Sequence, residues 1–319
     1  SDFYRRTKGT AVYKSLVDRY SSLQDFETQA ADFLEVGRLP ATLSPRDQEN
    51  LMHGKVQKDL DEFHKTFVDP IGKLIAETGF DPDSIGVYLL AKHAPERNNA
   101  IADKEEELRQ KNIAKTLREI DRLLEDVGVD HTIAIQTQQE RLEKYETDPP
   151  KFKDTGSGMT YAEAESVLNT ADLEGTKADM ERIATAVYDM LQFQRNLMVE
   201  AGLLDEFGKE DWEKNYQFYV PIKGFAAREK GDGTAYTAST GSRGFSVSGR
   251  ESMKAKGRST LPVNPLLTSF EDVQKKIIRA RKNEASLVIL DLLSELGVSK
   301  SYQIWTPKKR PAKRDDAQA

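Results

Sequence analysis

Apolar side chains recur along most of this chain at steps of three and four residues, the spacing of one face of an α-helix. The first helix is predicted near residues 10–37, and its apolar stripe is Leu16, Tyr20, Leu23, Phe26, Ala30 and Phe33. A second helix is predicted to start at Pro45, with Ser44 as its N-cap and Asp47 in its first turn. Its stripe is Met52, Val56, Leu60, Phe63, Phe67, Ile71 and Leu74. Pro70 lies inside this stripe and predicts a kink or break just before it.

The middle of the chain is predicted to form a short apolar helix followed by a charged helical hairpin. The short helix runs from Ile85 to Ala94 and is predicted to end at Pro95. Residues 99–146 are highly charged, and their apolar positions follow 4, 3, 4, 3 spacing at Ile113, Leu117, Ile120, Leu124 and Val127. This repeat is coiled-coil-like. Gly128 predicts a stop, after which a helix carrying Ile135, Leu142 and Tyr145 folds back on the first.

The C-terminal half predicts two further helices, a short strand and a final long helix. Thr160 and Glu163 have the spacing of a capping box. The next stripe, Met180, Ile183, Val187 and Leu191, predicts a helix that ends at Gly202. Residues 216–222 alternate and are aromatic, which favours a strand. The final helix is predicted to be capped by Ser269, with an inner stripe of Phe270, Val273, Ile277 and Ala280 and further leucines to Leu296.

These patterns predict an all-α or nearly all-α fold of long antiparallel helices, with a helical-hairpin projection and a long basic Gly-rich loop. They divide the chain into an N-terminal helical region (1–98) and a charged, insertion-like helical hairpin (99–150). A helical region with a short strand (151–224) and a basic Gly/Ser-rich loop (225–262) follow. A C-terminal helix (263–305) and a basic tail or linker (306–319) complete the division.

Composition narrows the chemistry that the 319 residues can perform. Hydrophobic residues make up 38% and charged residues 31%, which suits helices that bury one stripe each. Cysteine is absent, so disulfides, thiolate catalysis and Cys-ligated zinc are excluded. No apolar run reaches the length of a membrane span. The chain begins without methionine and ends in a polar, basic run, so we expect it to be a segment of a longer polypeptide.

Two short motifs are candidates for chemistry, and each has a plainer structural interpretation. His93 and Glu96 could be two metal ligands or an acid/base pair, but the sequence indicates no third ligand. The alternative is that they hydrogen-bond a helix end near Pro95. Glycines 156 and 158 precede a helix N-terminus, a geometry that can hold an anion. The alternative there is an ordinary loop before a capped helix. We therefore predict no metal and no cofactor, with His93 and Glu96 the only catalytic candidates.

Basic residues cluster toward the C-terminus and are the candidates for binding nucleic acid or another anion. Residues 225–260 contain six glycines and seven basic residues against three acidic ones. Lys275, Lys276, Arg279 and Lys282 then fall within an arc of about 120° on the final helix. The full candidate set is Arg243, Arg250, Lys254, Lys256, Arg258, Lys275, Lys276, Arg279 and Lys282. The alternative is a solvated face that pairs with neighbouring carboxylates.

Several stretches carry a resemblance to a family of very large bacteriophage proteins. They are residues 87–98 (VYLLAKHAPERN), 156–164 (GSGMTYAEA), 212–222 (WEKNYQFYVPI), and 257–283, which contains GRS, NP and IRARKN. These resemble segments of phage polyvalent and internal virion proteins, which include antirestriction-type polypeptides and polypeptides that carry a virion RNA polymerase. The charged stretch 99–146 separates two of these motifs and looks like an insertion.

The resemblance implies a protein packaged inside the virion and ejected with the genome into the host cytoplasm, or into the cell envelope during ejection. Its implied partners are other segments of the same polypeptide or other virion proteins, with DNA as a further candidate. It supplies no catalytic residue here. The leading hypothesis is therefore a non-catalytic structural or interaction segment. The alternatives are a nucleic-acid-binding module that uses the basic loop and last helix, and an enzyme with a site near His93 and Glu96.

Overall fold

The computed structural model describes residues 21–126, 128, 130–148, 151–152, 154–224 and 257–296. Within these residues the chain forms eight continuous helices and no strand, which confirms the all-α prediction. The helices are α1 (Ser21–Phe33), α2 (residues 45–78), α3 (Pro82–Glu125), α4 (Thr132–Thr147), α5 (Tyr161–Leu173), α6 (Lys177–Glu200), α7 (Glu206–Asn215) and α8 (Pro265–Glu295). None of them is both long and apolar enough to cross a bilayer. The predicted basic loop, from residue 225 to 256, and the tail lie outside the described residues.

Capping residues fix several helix ends as the sequence predicts. The Ser44 hydroxyl accepts the Asp47 N–H at 3.1 Å, so α2 begins at Pro45. Thr160 and Glu163 form a complete capping box at the start of α5. Gly202 has φ 69°, the left-handed conformation expected after the end of α6.

Pro70 does not break α2, although the sequence predicts a kink or a break just before it. The α-helix Pro45–Phe63 passes into a π-helical turn, His64–Val68, and then into a second α-helical part, Asp69–Thr78. The Asp69 N–H donates to the His64 carbonyl five residues back. Proline lacks an N–H and its ring crowds the preceding turn, and the wider π-turn lets the helix continue through it.

Pro95 lies inside α3, so the prediction that it ends a short helix is wrong. The helix is 44 residues long, starts with Asp81 as its N-cap and runs without interruption into the charged stretch. A proline inside a helix costs about 3 kcal/mol. Side chains on both sides of it are buried, Leu90 and Ala91 before it and Ile101 after it, and their packing offsets that cost.

The chain divides into two compact units, and the larger contains residues 57–241 and 248–280. Its core is built on apolar residues of α2, α3, α6 and α8, and the stripes predicted for α2, α6 and α8 contribute to it. The largest completely buried members are Phe63, Ile71, Ile85, Leu89, Ile183, Met190, Leu191 and Ile277. The start of α8 differs from the prediction. Asn264 accepts the Leu266 N–H at 2.9 Å and caps the helix, whereas Ser269 is inside it and donates to the Pro265 carbonyl at 2.7 Å.

The predicted hairpin is present in the larger unit as the distal part of α3 and the antiparallel helix α4, which pack on each other. Thr116 and Ile120 of α3 are buried against this seam, while α4 has no fully buried residue. Leu117 and Leu124 of the coiled-coil-like repeat are exposed by 44% and 62%. The hairpin therefore buries Ile120 of the predicted repeat and leaves Leu117 and Leu124 exposed.

The smaller unit contains Ser1–Val56, Ser242–Val247 and Arg281–Ala319. Its described core is Ala30, Ala31, Leu39 and Leu292. The stripe predicted for α1 is partly wrong, since Phe33 is 68% exposed while Ala30 is buried. Residues 10–20 of the predicted first helix lie outside the described residues.

Candidate functional site around His93

His93 is enclosed by aromatic side chains in the larger unit. Its side chain on α3 is 1% exposed, and its ring centroid lies 5.5 Å from that of Tyr216 and 5.6 Å from that of Tyr219. Trp212 packs edge-on against Tyr219 at 4.8 Å. Neither nitrogen of the His93 ring has a hydrogen-bond partner among the described residues. The imidazole is thus a packing element under an aromatic cover.

Burial sets the protonation state of this cluster. Desolvation lowers the pKa of His93, and the nearby Arg97 charge acts in the same direction. The carboxylate of Glu96 opposes this, but it lies 3.7 Å from Nδ1, which is too long for a hydrogen bond. Desolvation also raises the pKa of Tyr219. Burial therefore favours the neutral forms of both rings.

Glu96 holds the backbone of the segment that follows α7. Its carboxylate accepts the Gln217 N–H at 2.8 Å and the Phe218 N–H at 3.0 Å. A strand over residues 216–222 would direct these two consecutive N–H groups to opposite edges, whereas here both donate to one carboxylate and the segment is irregular. The strand prediction is therefore wrong, and the physical reason is that Glu96, 121 residues before Gln217 in sequence, binds the backbone donors.

Asn98 is the centre of a buried hydrogen-bond network. Its Nδ2 donates to the carbonyls of Asp154 at 2.8 Å and Met159 at 2.9 Å, and its Oδ1 accepts the Ser157 N–H at 2.7 Å. The residue is 0% exposed. The amide therefore closes the loop 154–159 against α3, and the hairpin between residues 99 and 150 leaves and returns at this one place.

The same network engages the N–H groups that could have bound an anion in the glycine loop. Ser157 N–H goes to Asn98, Gly158 N–H to the Thr155 carbonyl at 2.9 Å, and Thr160 N–H to Glu163 at 2.7 Å. Anion binding at a helix N-terminus needs backbone donors that are free to point at the ligand. The arrangement favours the plainer interpretation of this motif, a loop before a capped helix.

A charged group that the sequence does not suggest joins α3 to α6. Lys92 Nζ contacts both carboxylate oxygens of Glu181, at 2.6 and 2.7 Å, and lies 4.3 Å from the Phe218 ring centroid. The Tyr88 hydroxyl donates to the same carboxylate at 2.6 Å. Burial alone would raise the pKa of Glu181, but the hydrogen bonds from Lys92 and Tyr88 outweigh it and the net pKa is lowered. Nothing in helical spacing pairs positions 92 and 181.

The basic candidates divide into those that the structure describes and those that it does not. Arg243, Arg250, Lys254 and Lys256 lie outside the described residues. Arg258 donates from Nε to the Thr260 carbonyl at 2.6 Å and from a terminal nitrogen to the Leu261 carbonyl at 3.0 Å. Lys275 pairs with Glu271 at 3.2 Å. Lys275, Lys276, Arg279 and Lys282 are all half-buried.

Two surface depressions lie along the helices, and His93 lines neither of them. One of about 460 Å³ is an open hollow along α6 and the end of α2, and its lining is Leu74, Ala178, Glu181, Arg182, Thr185, Ala186 and Asp189. Another, of about 390 Å³, lies along α5. Among the described residues no three His, Asp or Glu side chains are grouped as a metal ion would require.

The stretches that carry the phage resemblance converge in space. Residues 87–98 contact 154–159 through Asn98 and contact 212–222 through Glu96 and His93. The Arg258 N–H donates to the Gly156 carbonyl at 3.2 Å, and the Asn264 side chain donates to the Asp83 carboxylate at 2.8 Å. The motifs thus form one interconnected packing network. The chain matches none of the protein-family models, curated proteins or solved structures with which it was compared.

Proposed function

We propose that this chain is a non-catalytic structural and interaction segment of a phage internal virion protein, packaged in the capsid and ejected into the host with the genome. The non-catalytic part of this proposal is supported by the contacts that the polar residues of the motifs make. Glu96 and Asn98 bind backbone groups of other segments, and His93 packs under aromatic rings. The phage origin rests on the resemblance of the motifs that meet in this network.

Catalysis by His93 and Glu96 would require a substrate to reach these side chains. A general acid or base has to reach a substrate atom within hydrogen-bond distance, directly or through one water. The His93 side chain is 1% exposed, so a substrate could reach its ring only if the aromatic side chains that cover it moved. The enzyme hypothesis therefore requires an opening of residues 216–219, whereas the structural hypothesis requires none.

The architecture is compatible with passage through a narrow tail. The hairpin helix α4 has no fully buried residue. The chain has no cysteine, so no disulfide resists its extension. Segments with few buried apolar contacts open at low free-energy cost. These features support delivery by unfolding and refolding.

The proposal is tested on purified virions of the phage that encodes the chain. Intact virions are treated with protease, the protease is inactivated, and the protected peptides are identified by mass spectrometry. We expect peptides of α3, α6 and α8 to survive in intact particles and to disappear when particles are opened before digestion. Absence of these peptides from intact particles would contradict a packaged protein.

A DNA-retention measurement distinguishes the proposal from the nucleic-acid alternative. Phosphate contacts make DNA affinity fall steeply with salt. We expect weak retention that is unchanged when Lys275, Lys276, Arg279 and Lys282 are replaced together by Glu. Retention that is strong in low salt and lost in this variant would favour a nucleic-acid-binding module.

A further inference from the structure

The α3–α4 hairpin carries an uncovered pair of leucines. Leu117 and Leu124 are seven residues apart on α3 and lie on one side of the helix, within about 20° of each other. Their residues are 44% and 62% exposed, although the neighbouring Ile120 is buried toward α4. We call Leu117 and Leu124 the hairpin stripe. Two apolar side chains at heptad spacing lie on one face of a helix, as the residues of a helix–helix seam do.

Charged residues beside the hairpin stripe change sign along the helix. Arg118, Asp121 and Glu125 lie within about 100° of Leu117 on one flank. All three are exposed, and none has an ion pair in the part of the chain that the structure describes. Other charges on this helix do have partners, Lys111 with Glu107 and Arg122 with Glu119. The flank therefore presents a cation followed by two anions, all available to another helix.

We propose that the hairpin stripe and this flank form a self-association site, at which α3 of a second copy of the chain packs antiparallel. The two-fold axis lies midway between Leu117 and Leu124, so Leu117 of each copy packs on Leu124 of the other. Antiparallel helices related by such an axis bring the same flank of both helices together. Arg118 then lies between Asp121 and Glu125 of the second copy, with an axial offset of about 3 Å from each. The symmetry makes every contact twice.

We infer a second copy as the occupant because the order of charges on this flank, a cation followed by two anions, is complementary to itself when two copies of the helix lie antiparallel. In a parallel pair, the Arg118 flank of one helix would face the opposite flank of the other, which carries Ile113, Thr116 and Ile120 and is occupied by α4. The contact is small, so we expect a weak, reversible dimer. This inference does not depend on the phage origin of the chain.

The first test is sedimentation velocity of the full chain over a range of concentrations. We expect a monomer–dimer equilibrium, and we expect the double variant Leu117→Lys/Leu124→Lys to raise the dissociation constant by about tenfold or more. Leu108→Lys is the matched control, because Leu108 is 59% exposed on the same helix and lies about 180° from Leu117. A chain that stays monomeric, or a control that dissociates as much as the double variant, would overturn the proposal.

A second test reports the orientation and does not depend on removing a leucine. The chain has no cysteine, so a single introduced thiol is unique. Asp121→Cys places the thiol beside the two-fold axis, and we expect rapid disulfide-linked dimers under oxidation. Ala114→Cys places it about 20 Å along the axis from its copy, and we expect none. Equal linking of both variants would indicate a parallel pair, and linking of neither would remove the site; each result contradicts the proposal.

Discussion

Replacement of Asn98 by Ala is the sharpest test of the packing network. The Asn98 amide is completely buried and makes three hydrogen bonds to the backbone of residues 154–159, with lengths between 2.7 and 2.9 Å. Alanine removes all three and supplies no replacement. The Ser157 N–H then loses its acceptor in a region where Ser157 itself is 0% exposed. If Asn98 has a structural role, its replacement by alanine must lower the free energy of unfolding.

The size of the effect follows from the number of bonds. A neutral hydrogen bond contributes about 0.5–1.5 kcal/mol net, and a buried group left without a partner costs about 1–3 kcal/mol. Three such bonds, with one N–H and two carbonyls left behind, predict a loss of roughly 3 kcal/mol in the free energy of unfolding. Asn98→Asp should cost more, because an ionised carboxylate would face the Asp154 and Met159 carbonyls in a buried site.

Urea denaturation followed by far-UV circular dichroism measures this free energy. The control is Asn99→Ala, since Asn99 is adjacent, exposed, and makes a single side-chain contact to the Tyr161 hydroxyl at 2.6 Å. We expect the control to lose less than about 1 kcal/mol. If Asn98→Ala is no less stable than Asn99→Ala, the hydrogen-bond network does not hold the loop, and the structural argument for the motif fails.

Three further predictions address other parts of the site. Because burial lowers the pKa of His93, the stability contributed by its neutral ring is complete above about pH 6.5 and is lost as the pH falls below that value. Urea titrations should show the free energy of unfolding declining by up to about 1.4 kcal/mol per pH unit. This decline should disappear in His93→Leu and persist in the exposed control His53→Asn. Gly158→Ala should lower the free energy of unfolding by about 2 kcal/mol or more, because φ is 88° and a Cβ would overlap the Thr260 carbonyl. Gly175→Ala, where φ is 70° and no atom is close, should lower it by about 1 kcal/mol. Equal losses in the two variants would contradict the close approach of the Thr260 carbonyl to Gly158. Glu96→Ala should cost about 2 kcal/mol and speed amide exchange at the two residues that it holds; unchanged exchange would show that the carboxylate does not pin them.

The candidate site was predictable in its residue types but not in its geometry. The sequence indicates His93 and Glu96 as a polar pair and leaves ligand, acid/base and structural roles open. Their partners are Tyr216, Tyr219 and the Gln217 N–H, all more than 110 positions away along the chain. Periodicity carries no information about which distant segment covers a buried imidazole. The aromatic spacing of residues 212–219 was the available signal, and it was compatible with a strand as well.

Local chemistry determined several helix ends by itself. Ser44, the Thr160–Glu163 box and Gly202 act on backbone groups within a few residues, so their effects can be predicted from sequence. The stripes of α2, α6 and α8 were equally clear, because burying one face of a helix requires apolar residues at helical spacing.

Tertiary structure decided the features in which a local preference competes with a distant contact. Pro95 favours a helix end, but burial of Leu90, Ala91 and Ile101 holds one continuous helix through it. The alternating pattern after α7 favours a strand, but Glu96 binds the backbone donors instead. Heptad spacing placed Leu117 and Ile120 in one repeat, and only the position of α4 determined which of them is buried. Each of these outcomes depends on a packing free energy between distant segments, which no short window of sequence contains.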